Sequence, residues 1–295
     1  MKHSITILQL ILLRQIWVHF SIHPVPCGHD NKYHISLPPP PIDGVAYADK
    51  YVYSQVEYRT RQSIEGGNMS KVAKIICPGI DEYMDQFMRF FHRPEGHALA
   101  ESYVCGLLID GERKSVEPMS ERVNASERSM QRLLSQVKLD EQGILSTYQE
   151  KMLAVTSDPM GLFLIDDTSF PKKGRESACV SRQYCGAIGK IDNCQVGVSM
   201  TYIGQGVAWP FGMKLFVPES WNSADAECMR RRAKTKMPDS AHYRPKWRIA
   251  LELLDEAISR QVPHWAVIAD SWYGNIPEFR QELIRRGELY ILGVC

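Results

Sequence analysis

Short apolar runs in the C-terminal half of the chain predict the strands of a sheet. One run covers 161–165 and stops at two aspartates, and another covers 264–269 and stops at a third. Apolar runs of this length are typical of strands that are buried on both faces. Apolar residues alternate with smaller or polar ones over 196–202, and another extended run covers 208–217. These two segments predict an antiparallel pair that flanks the first strand.

Apolar residues at helical spacing fill the intervals between the later strands. They predict one helix from about Pro245, and another that Asn275 caps and Gly287 ends. A final strand is predicted over 289–294. The order of three strands, helix, strand, helix and strand predicts an α/β fold with a mixed sheet over residues 157–295.

A small all-helical region is predicted before the sheet, over residues 81–156. Pro94 is suited to open one of its helices, and further helical patterns follow. We interpret the apolar stripes of these helices as core. We interpret the exposed arginines of this region as a solvated face, with contact to a DNA backbone as the alternative; they are Arg122, Arg128 and Arg132.

Residues 1–80 are predicted to be a poorly ordered or spurious N-terminal extension and linker. The apolar stretch Ile5–Leu13 resembles a signal-peptide core, but it is too short to span a bilayer, which takes about 20 residues. We favour an amphipathic extension, or translated sequence upstream of the true start. Residues 23–80 contain many prolines and glycines and have weak periodicity, which is typical of a linker.

The net charge is small, but the charges are unevenly distributed. The chain has 35 Lys and Arg residues against 34 Asp and Glu residues, a formal charge of +1. Residues 171–190 hold five basic residues and one acidic residue, and residues 228–248 hold eight and one. The rest of the chain is therefore acidic. A basic surface on an acidic body indicates a polyanionic partner.

The eight cysteines are predicted to be reduced and mostly buried. None belongs to a C-x-x-C pair, and a chain of this length does not need disulfides to fold. A metal site at Cys179, Cys185 and Cys194 is the alternative, but their spacing matches no common ligand template. We expect a cytoplasmic protein without membrane contact.

The chemistry is predicted at the two strands that stop at carboxylates. If these strands are neighbours, Asp167 and Asp270 lie at the same edge of the sheet, where open α/β sheets have their sites. Two nearby carboxylates repel each other unless a cation lies between them. Mg²⁺ prefers oxygen ligands, and a pair of such ions can activate an attacking water and stabilise the leaving oxygen. The alternative is that either aspartate only caps a turn.

Several ordered sequence blocks carry a family resemblance. The first is I-D-D-T-S-F-P-K-K-G at 165–174, followed by R-Q-Y-C-G at 182–186 and G-K-I-D-N-C-Q-V at 189–196. Later blocks are L-F-V-P-E-S-W at 215–221, V-I-A-D at 267–270 and Tyr-Gly at 273–274. Together they resemble bacterial insertion-sequence transposases of the DDE superfamily, over roughly residues 82–295. The resemblance implies a ribonuclease-H-like fold, a mixed sheet flanked by helices, and metal-dependent cutting and joining of DNA at transposon ends.

The resemblance also implies which residues hold the metal. The first acid of the family triad falls on Asp167, which directly precedes Thr168 as in the family motif, and the second falls on Asp270. Asp166 is the rival for the first role, because a shift of one residue along a strand reverses the direction of the side chain. The implied cofactor is Mg²⁺ or Mn²⁺.

The third acid of the triad, a Glu on a helix beyond the last strand, has no matching position. Glu278, Glu282 and Glu288 are present, but none occupies the family position. The resemblance therefore implies a transposase that is truncated at its C-terminus and inactive alone. Two classes of function stay open, a DDE transposase and a non-catalytic DNA-binding remnant.

The basic residues have a role in both classes, because Lys and Arg bind phosphates irrespective of the DNA sequence. We expect a homodimer bound to duplex DNA, both at transposon ends and at the target. One basic group follows the first acid, and the other is expected in a polar loop, with a merely solvated loop as the alternative. The predicted DNA-binding residues are Lys172, Lys173, Arg175, Arg182, Lys190, Arg230, Arg231 and Arg232.

Overall fold

The computed structural model describes residues 79–109, 115–137 and 139–294. The predicted extension and linker therefore lie almost entirely outside the described residues, as do Cys27, Cys77 and Cys295. The described part forms two compact units, one ending at Ile144 and the other beginning at Leu145.

The first unit is helical. Its helices are α1 (Ile80–Asp85), α2 (Pro94–Leu108), α3 (Val116–Arg122) and α4 (Glu127–Gln136), with a 3₁₀ turn at Met88–Phe90. Pro94 opens α2, as predicted, because proline has no N–H to leave unpaired at that position. Met119, Met130 and Leu133 are at most 1% exposed and belong to the core of this unit. A fifth helix, α5 (Glu141–Thr156), crosses the unit boundary, so this unit ends earlier than the predicted limit at residue 156.

The second unit contains a mixed sheet of six strands. They are β1 (Leu162–Pro171), β2 (Ser181–Cys185), β3 (Lys190–Gly204), β4 (Val207–Leu215), β5 (Ala266–Ala269) and β6 (Tyr290–Leu292). Strand β1 lies between β3, which is antiparallel to it, and β5, which is parallel; β6 is parallel to β5. The other edge of β3 pairs with β2 along its first residues and with β4 along its last. The predicted α/β fold with a mixed sheet is confirmed.

Four helices follow the antiparallel strands. They are α6 (Ala226–Lys234), α7 (Lys246–Ser259), α8 (Ser271–Gly274) and α9 (Pro277–Arg285). The buried face of α7 belongs to the same core as Phe163 and Ile165, which project from one face of β1. Burial of each such apolar side chain stabilises the fold by about 1.5–3 kcal/mol. This core therefore fixes α7, and with it the residue at its beginning, Lys246.

The first carboxylate strand does not end where the sequence predicts. Strand β1 continues past Asp166 and Asp167 to Pro171, because β3 pairs with it as far as Cys194. Only its pairing with β5 stops at the carboxylates, where Ile165 is the last partner. The aspartates are therefore at the end of the parallel pairing and inside the antiparallel one.

The predicted role of Asn275 as a helix cap is wrong. Asn275 follows the end of the short helix α8, and α9 begins at Pro277, after Ile276. Gly287 has a positive φ of 75° and follows Arg286, the C-cap residue of α9, as a terminating glycine should. Within the described residues, no helix is both long and apolar enough to cross a membrane.

Candidate active site

Three carboxylates lie just beyond the point where the pairing between β1 and β5 ends. Ile165 is opposite Ala269, so Asp166 and Asp270 leave the two strands at the same level, and Asp167 is one residue further along. Successive strand residues point to opposite faces, so the Asp167 side chain projects on the face of Ile165, and that of Asp166 on the other. The structure thus brings both predicted acids to neighbouring strands.

The carboxylate of Asp167 is held at both oxygens. Lys246 Nζ donates to Oδ2 at 2.6 Å, and the Tyr273 hydroxyl donates to Oδ1 at 2.8 Å. The Asp167 and Lys246 side chains are 26% and 20% exposed, so this ion pair is partly shielded from water. Lys246 is the first residue of α7 and Tyr273 belongs to α8. Two helices therefore orient one carboxylate.

The donors of Asp167 differ in mobility. Tyr273 is 1% exposed and packs in the core, and its pKa is raised by burial and then by the charge of Asp167, so the phenol keeps its proton. Lys246 has a flexible four-carbon stem, and its Nζ lies 5.4 Å from the ring centres of both Phe216 and Trp272. Contacts of a cation with aromatic faces are favourable. Tyr273 is a fixed donor, and Lys246 is a charged donor that can move.

Asp166 has a different environment from Asp167. Its Oδ1 accepts a hydrogen bond from the Asp167 N–H at 2.7 Å. The largest cause that raises the pKa of Asp166 is the loss of solvent around its carboxyl group, although the residue as a whole is exposed. The negative charges of Asp167 and Asp270 raise this pKa further. The hydrogen bond from the backbone acts in the opposite direction. Asp166 is thus electrostatically coupled to both of its acidic neighbours.

Asp270 caps helix α8. Its Oδ1 accepts hydrogen bonds from the backbone N–H groups of Trp272 at 3.0 Å and Tyr273 at 3.3 Å. The capping interpretation of this residue therefore describes a real contact. The cap engages one carboxylate oxygen, and the residue is exposed. Asp270 can both begin α8 and present its second oxygen to a ligand.

The family of this chain follows from its match to a model of a protein family. A model described as DDE superfamily endonuclease matches residues 86–295. The chain belongs to this family of DDE superfamily endonucleases. A curated relative, "Probable transposase for insertion sequence element IS701" from Microchaete diplosiphon, is 26% identical over 196 residues, which is 66% of this chain. The chain spans about half the length of that relative, 48%.

A solved transposase structure is also similar to this DDE endonuclease. It is described as "Mos1 transposase paired-end complex with left transposon end" and is 14% identical, with a TM-score of 0.22. The match covers 67% of this chain and 59% of that chain.

The first basic group of the endonuclease lies on the segment between β1 and β2, on β2 and at the start of β3. Lys173, Arg175 and Arg182 are exposed, and Lys172 is half-buried. Lys190 is paired with Asp192 at 3.6 Å. Within the described part of the chain, no ion pair is recorded for the other four. Arg182 lies close enough to Asp192 for its charge to lower the pKa of that carboxyl, and contact of this group with a phosphate backbone stays a prediction.

The second basic group of the endonuclease lies in helix α6, not in a polar loop as predicted. Asp225 caps the helix by accepting from the Cys228 N–H at 2.8 Å. Arg230 pairs with Glu227 at 2.7 Å, and Lys234 pairs with Glu176 at 2.7 Å. A cap and ion pairs along the surface stabilise a helix that has few apolar residues, of which Cys228 is buried.

Arg231 and Arg232 of α6 donate to the protein backbone. The guanidinium of Arg231 lies 4.0 Å from the ring centre of Trp221 and donates to the carbonyl of Val180. Arg232 donates to the carbonyls of Trp221 at 2.8 Å, Pro238 at 3.0 Å and Ala241 at 2.8 Å. The contacts give both arginines a structural role. Their binding to DNA stays a prediction.

Lys246 and Tyr273 are the site residues that the sequence did not identify. In the sequence, Lys246 belongs only to a basic block, and it is 79 residues from Asp167. Tyr273 belongs to a sequence block that carries the family resemblance, and the sequence gives it no role. One local signal could have indicated Tyr273. It lies three residues after Asp270, within the short helix that Asp270 caps at the edge of the sheet.

The donor chemistry of this edge fits a hard cation. Asp167 and Asp270 present carboxylate oxygens, and Mg²⁺ is usually held by one or two carboxylates together with substrate phosphate oxygens. Within the described residues, no group of three or more His, Cys, Asp and Glu side chains could hold a metal ion. This includes Cys179, Cys185 and Cys194, which are buried free thiols. The described residues therefore offer a partial ligand set.

Proposed function

We propose that this chain is a transposase endonuclease that cuts and joins DNA phosphodiester bonds at the ends of an insertion sequence. The observation that carries the proposal is the anchored carboxylate of Asp167, on a strand beside the one that Asp270 follows. Membership of the DDE endonuclease family and the name of the insertion-sequence relative support it.

Asp167 and Asp270 are the residues that would hold the divalent cation, Mg²⁺ or Mn²⁺. Such a cation supplies Lewis-acid stabilisation of the phosphate and lowers the pKa of an attacking water. Tyr273 orients Asp167 through the hydrogen bond to Oδ1, and the α8 cap orients Asp270. Asp166 stays the alternative first acid, because it is exposed and its pKa responds to the charge of Asp270.

Duplex DNA is the proposed partner. Lys172, Lys173, Arg175 and Arg182 are the residues best suited to its phosphates, since no ion pair is recorded for them in the described part of the chain. Association at near-diffusion rates and affinity that falls with salt are expected of such a surface. A homodimer on DNA and a cytoplasmic location stay predictions.

A second candidate function is that of a non-catalytic DNA-binding protein. It is favoured by the partial ligand set, because the described residues do not assemble three metal-ligating side chains. Mg²⁺ demands near-octahedral oxygen coordination, so two aspartates with water hold it weakly in the absence of further ligands. We therefore expect slow cleavage at most by the 295-residue chain.

Two measurements on the same four proteins test the proposal. Wild type, Asp166→Asn, Asp167→Asn and Asp270→Asn are titrated with Mn²⁺ by electron paramagnetic resonance, and their nicking of supercoiled DNA is followed with Mg²⁺ or Mn²⁺. We expect Asp167→Asn and Asp270→Asn to weaken Mn²⁺ binding about tenfold or more and to abolish nicking, because each removes an anionic ligand.

The outcomes separate the candidates. Weakening by Asp166→Asn with no effect of Asp167→Asn would move the first acid by one residue. Binding of Mn²⁺ and DNA without nicking would support the non-catalytic function. Unchanged Mn²⁺ affinity in all three variants would contradict the metal site. Metal-free DNA binding should be equal or tighter in each variant, because each removes negative charge near the phosphates.

A further inference from the structure

The ammonium group of Lys246 already occupies one oxygen of the Asp167 carboxylate, where a metal ion would bind. Lys246 Nζ lies 2.6 Å from Oδ2, and both side chains are largely shielded from solvent. The remaining oxygen accepts from Tyr273. The charge of Asp167 is therefore balanced within the protein itself, before any ligand binds.

The two donors of Asp167 respond differently to an incoming cation. The Tyr273 phenol is neutral and anchored in the core, so it can stay bound to Oδ1 while the carboxylate ligates a metal. The Lys246 ammonium is positive and donates to Oδ2. A metal ion on the same carboxylate, at about 2.0–2.1 Å from an oxygen, lies within a few ångströms of this ammonium and is repelled by it.

The surroundings of Lys246 allow it to leave Asp167. Phe216 and Trp272 each have their ring centre 5.4 Å from Nζ, and Trp272 is 48% exposed, so an aromatic surface next to the carboxylate opens to solvent. A lysine stem can rotate while its ammonium keeps contact with aromatic faces. The main chain of Lys246 stays in place, since the α7 core fixes the helix.

We propose that Lys246 is an internal counter-ion of Asp167 that competes with a divalent cation for the same carboxylate. Lys246 is a positioning residue: it stabilises Asp167 in the metal-free protein and weakens the affinity of the site for metal. The inference rests on the proposed function, because it takes Asp167 as a metal ligand. The new element is that a side chain of the protein raises the metal concentration at which the site becomes occupied.

The test uses Lys246→Met, which keeps the length of the side chain and removes its charge. The readouts are the Mn²⁺ dissociation constant by electron paramagnetic resonance and the melting temperature with and without Mn²⁺, on the full chain without DNA. We expect Lys246→Met to bind Mn²⁺ about tenfold more tightly, which corresponds to about 1.4 kcal/mol. Its melting temperature should fall without metal, and Mn²⁺ should restore more of it than in wild type.

Matched variants separate competition from a merely structural role. Lys214→Met removes the same charge from a partly exposed pair with Glu256 and should leave Mn²⁺ affinity unchanged. Tyr273→Phe removes the other hydrogen bond to Asp167 without changing charge and should not tighten binding. Lys246→Arg keeps the positive charge and should stay close to wild type.

The double variant Asp167→Asn/Lys246→Met tests whether Lys246 changes the Mn²⁺ affinity through the Asp167 carboxylate. If Lys246 acts through Asp167, removing its charge has little effect on Mn²⁺ affinity once Asp167 is neutral. Equal or weaker Mn²⁺ binding by Lys246→Met, while Asp167→Asn still weakens binding, would overturn the counter-ion role alone. No effect of Asp167→Asn would refute the metal site of the proposed function instead.

Discussion

Replacement of Arg232 by alanine should destabilise the protein far more than replacement of its neighbour Arg230. The Arg232 guanidinium donates to three backbone carbonyls, those of Trp221, Pro238 and Ala241, at 2.8–3.0 Å. These contacts tie α6 to the segments on either side of it. Arg230, by contrast, makes ion pairs that are more than half exposed, with Glu227 and with Glu176.

The magnitude follows from the number and exposure of these bonds. A hydrogen bond from a charged donor contributes about 1.5–3 kcal/mol when it is well shielded. Because Arg232 is half-buried and water replaces part of each bond, we expect Arg232→Ala to lower the free energy of unfolding by about 2–4 kcal/mol. Arg230→Ala should leave the free energy of unfolding nearly unchanged, because its ion pairs are exposed to solvent.

Urea unfolding followed by circular dichroism measures both values, and a thermal scan should show a drop of about 4–16 °C in the melting temperature of Arg232→Ala. Arg232→Lys should recover little, because an ammonium cannot reproduce the planar fork that reaches three acceptors. Equal losses for Arg230→Ala and Arg232→Ala, within about 0.5 kcal/mol, would refute the structural role of Arg232.

Three further predictions concern other parts of the second unit. Replacing Lys172 and Lys173 by alanine should make the plot of log K for DNA against log salt shallower by up to about 1.8. Burial raises the pKa of the Cys179 thiol to about 12, so iodoacetamide at pH 8 should label it only after unfolding, as mass spectrometry would reveal. Gly274→Ala would bring a methyl group against the Gly293 carbonyl and should lower the melting temperature measurably.

The strands and helices with strong local patterns could be predicted from the sequence. The spacing of apolar residues and the residues that end each run are sufficient to predict three elements. They are the strand over 161–165, the strand that ends before Asp270 and the helix after Pro245. The continuation of β1 to Pro171 could not be predicted, because its pairing with β3 imposes it on polar residues. Helix α6 was missed for a similar reason, since a cap and surface ion pairs stabilise it in place of an apolar stripe.

The candidate site was predictable in part. Aspartates after apolar runs indicated the sheet edge, and the family resemblance selected two of them. The contact between Asp167 and Lys246 joins residues 79 positions apart, so no local pattern contains it. Whether Asp166 or Asp167 turns toward the α7 side depends on strand register, which only the pairing with β3 and β5 defines.

The two basic blocks illustrate why charge alone does not identify a surface for DNA. Both have an excess of positive charge in the sequence, yet the donors of Arg231 and Arg232 are engaged by backbone carbonyls, while Lys172 and Lys173 lack a recorded ion pair in the described residues. A guanidinium that satisfies buried carbonyls cannot move to a phosphate without leaving them unpaired, which costs free energy. The same argument applies to Lys246, whose charge is engaged by Asp167 until a stronger cation displaces it. Affinity for DNA phosphates should therefore follow the basic side chains that remain free, and affinity for metal should follow the carboxylate oxygens that no cationic side chain occupies, not the number of charges.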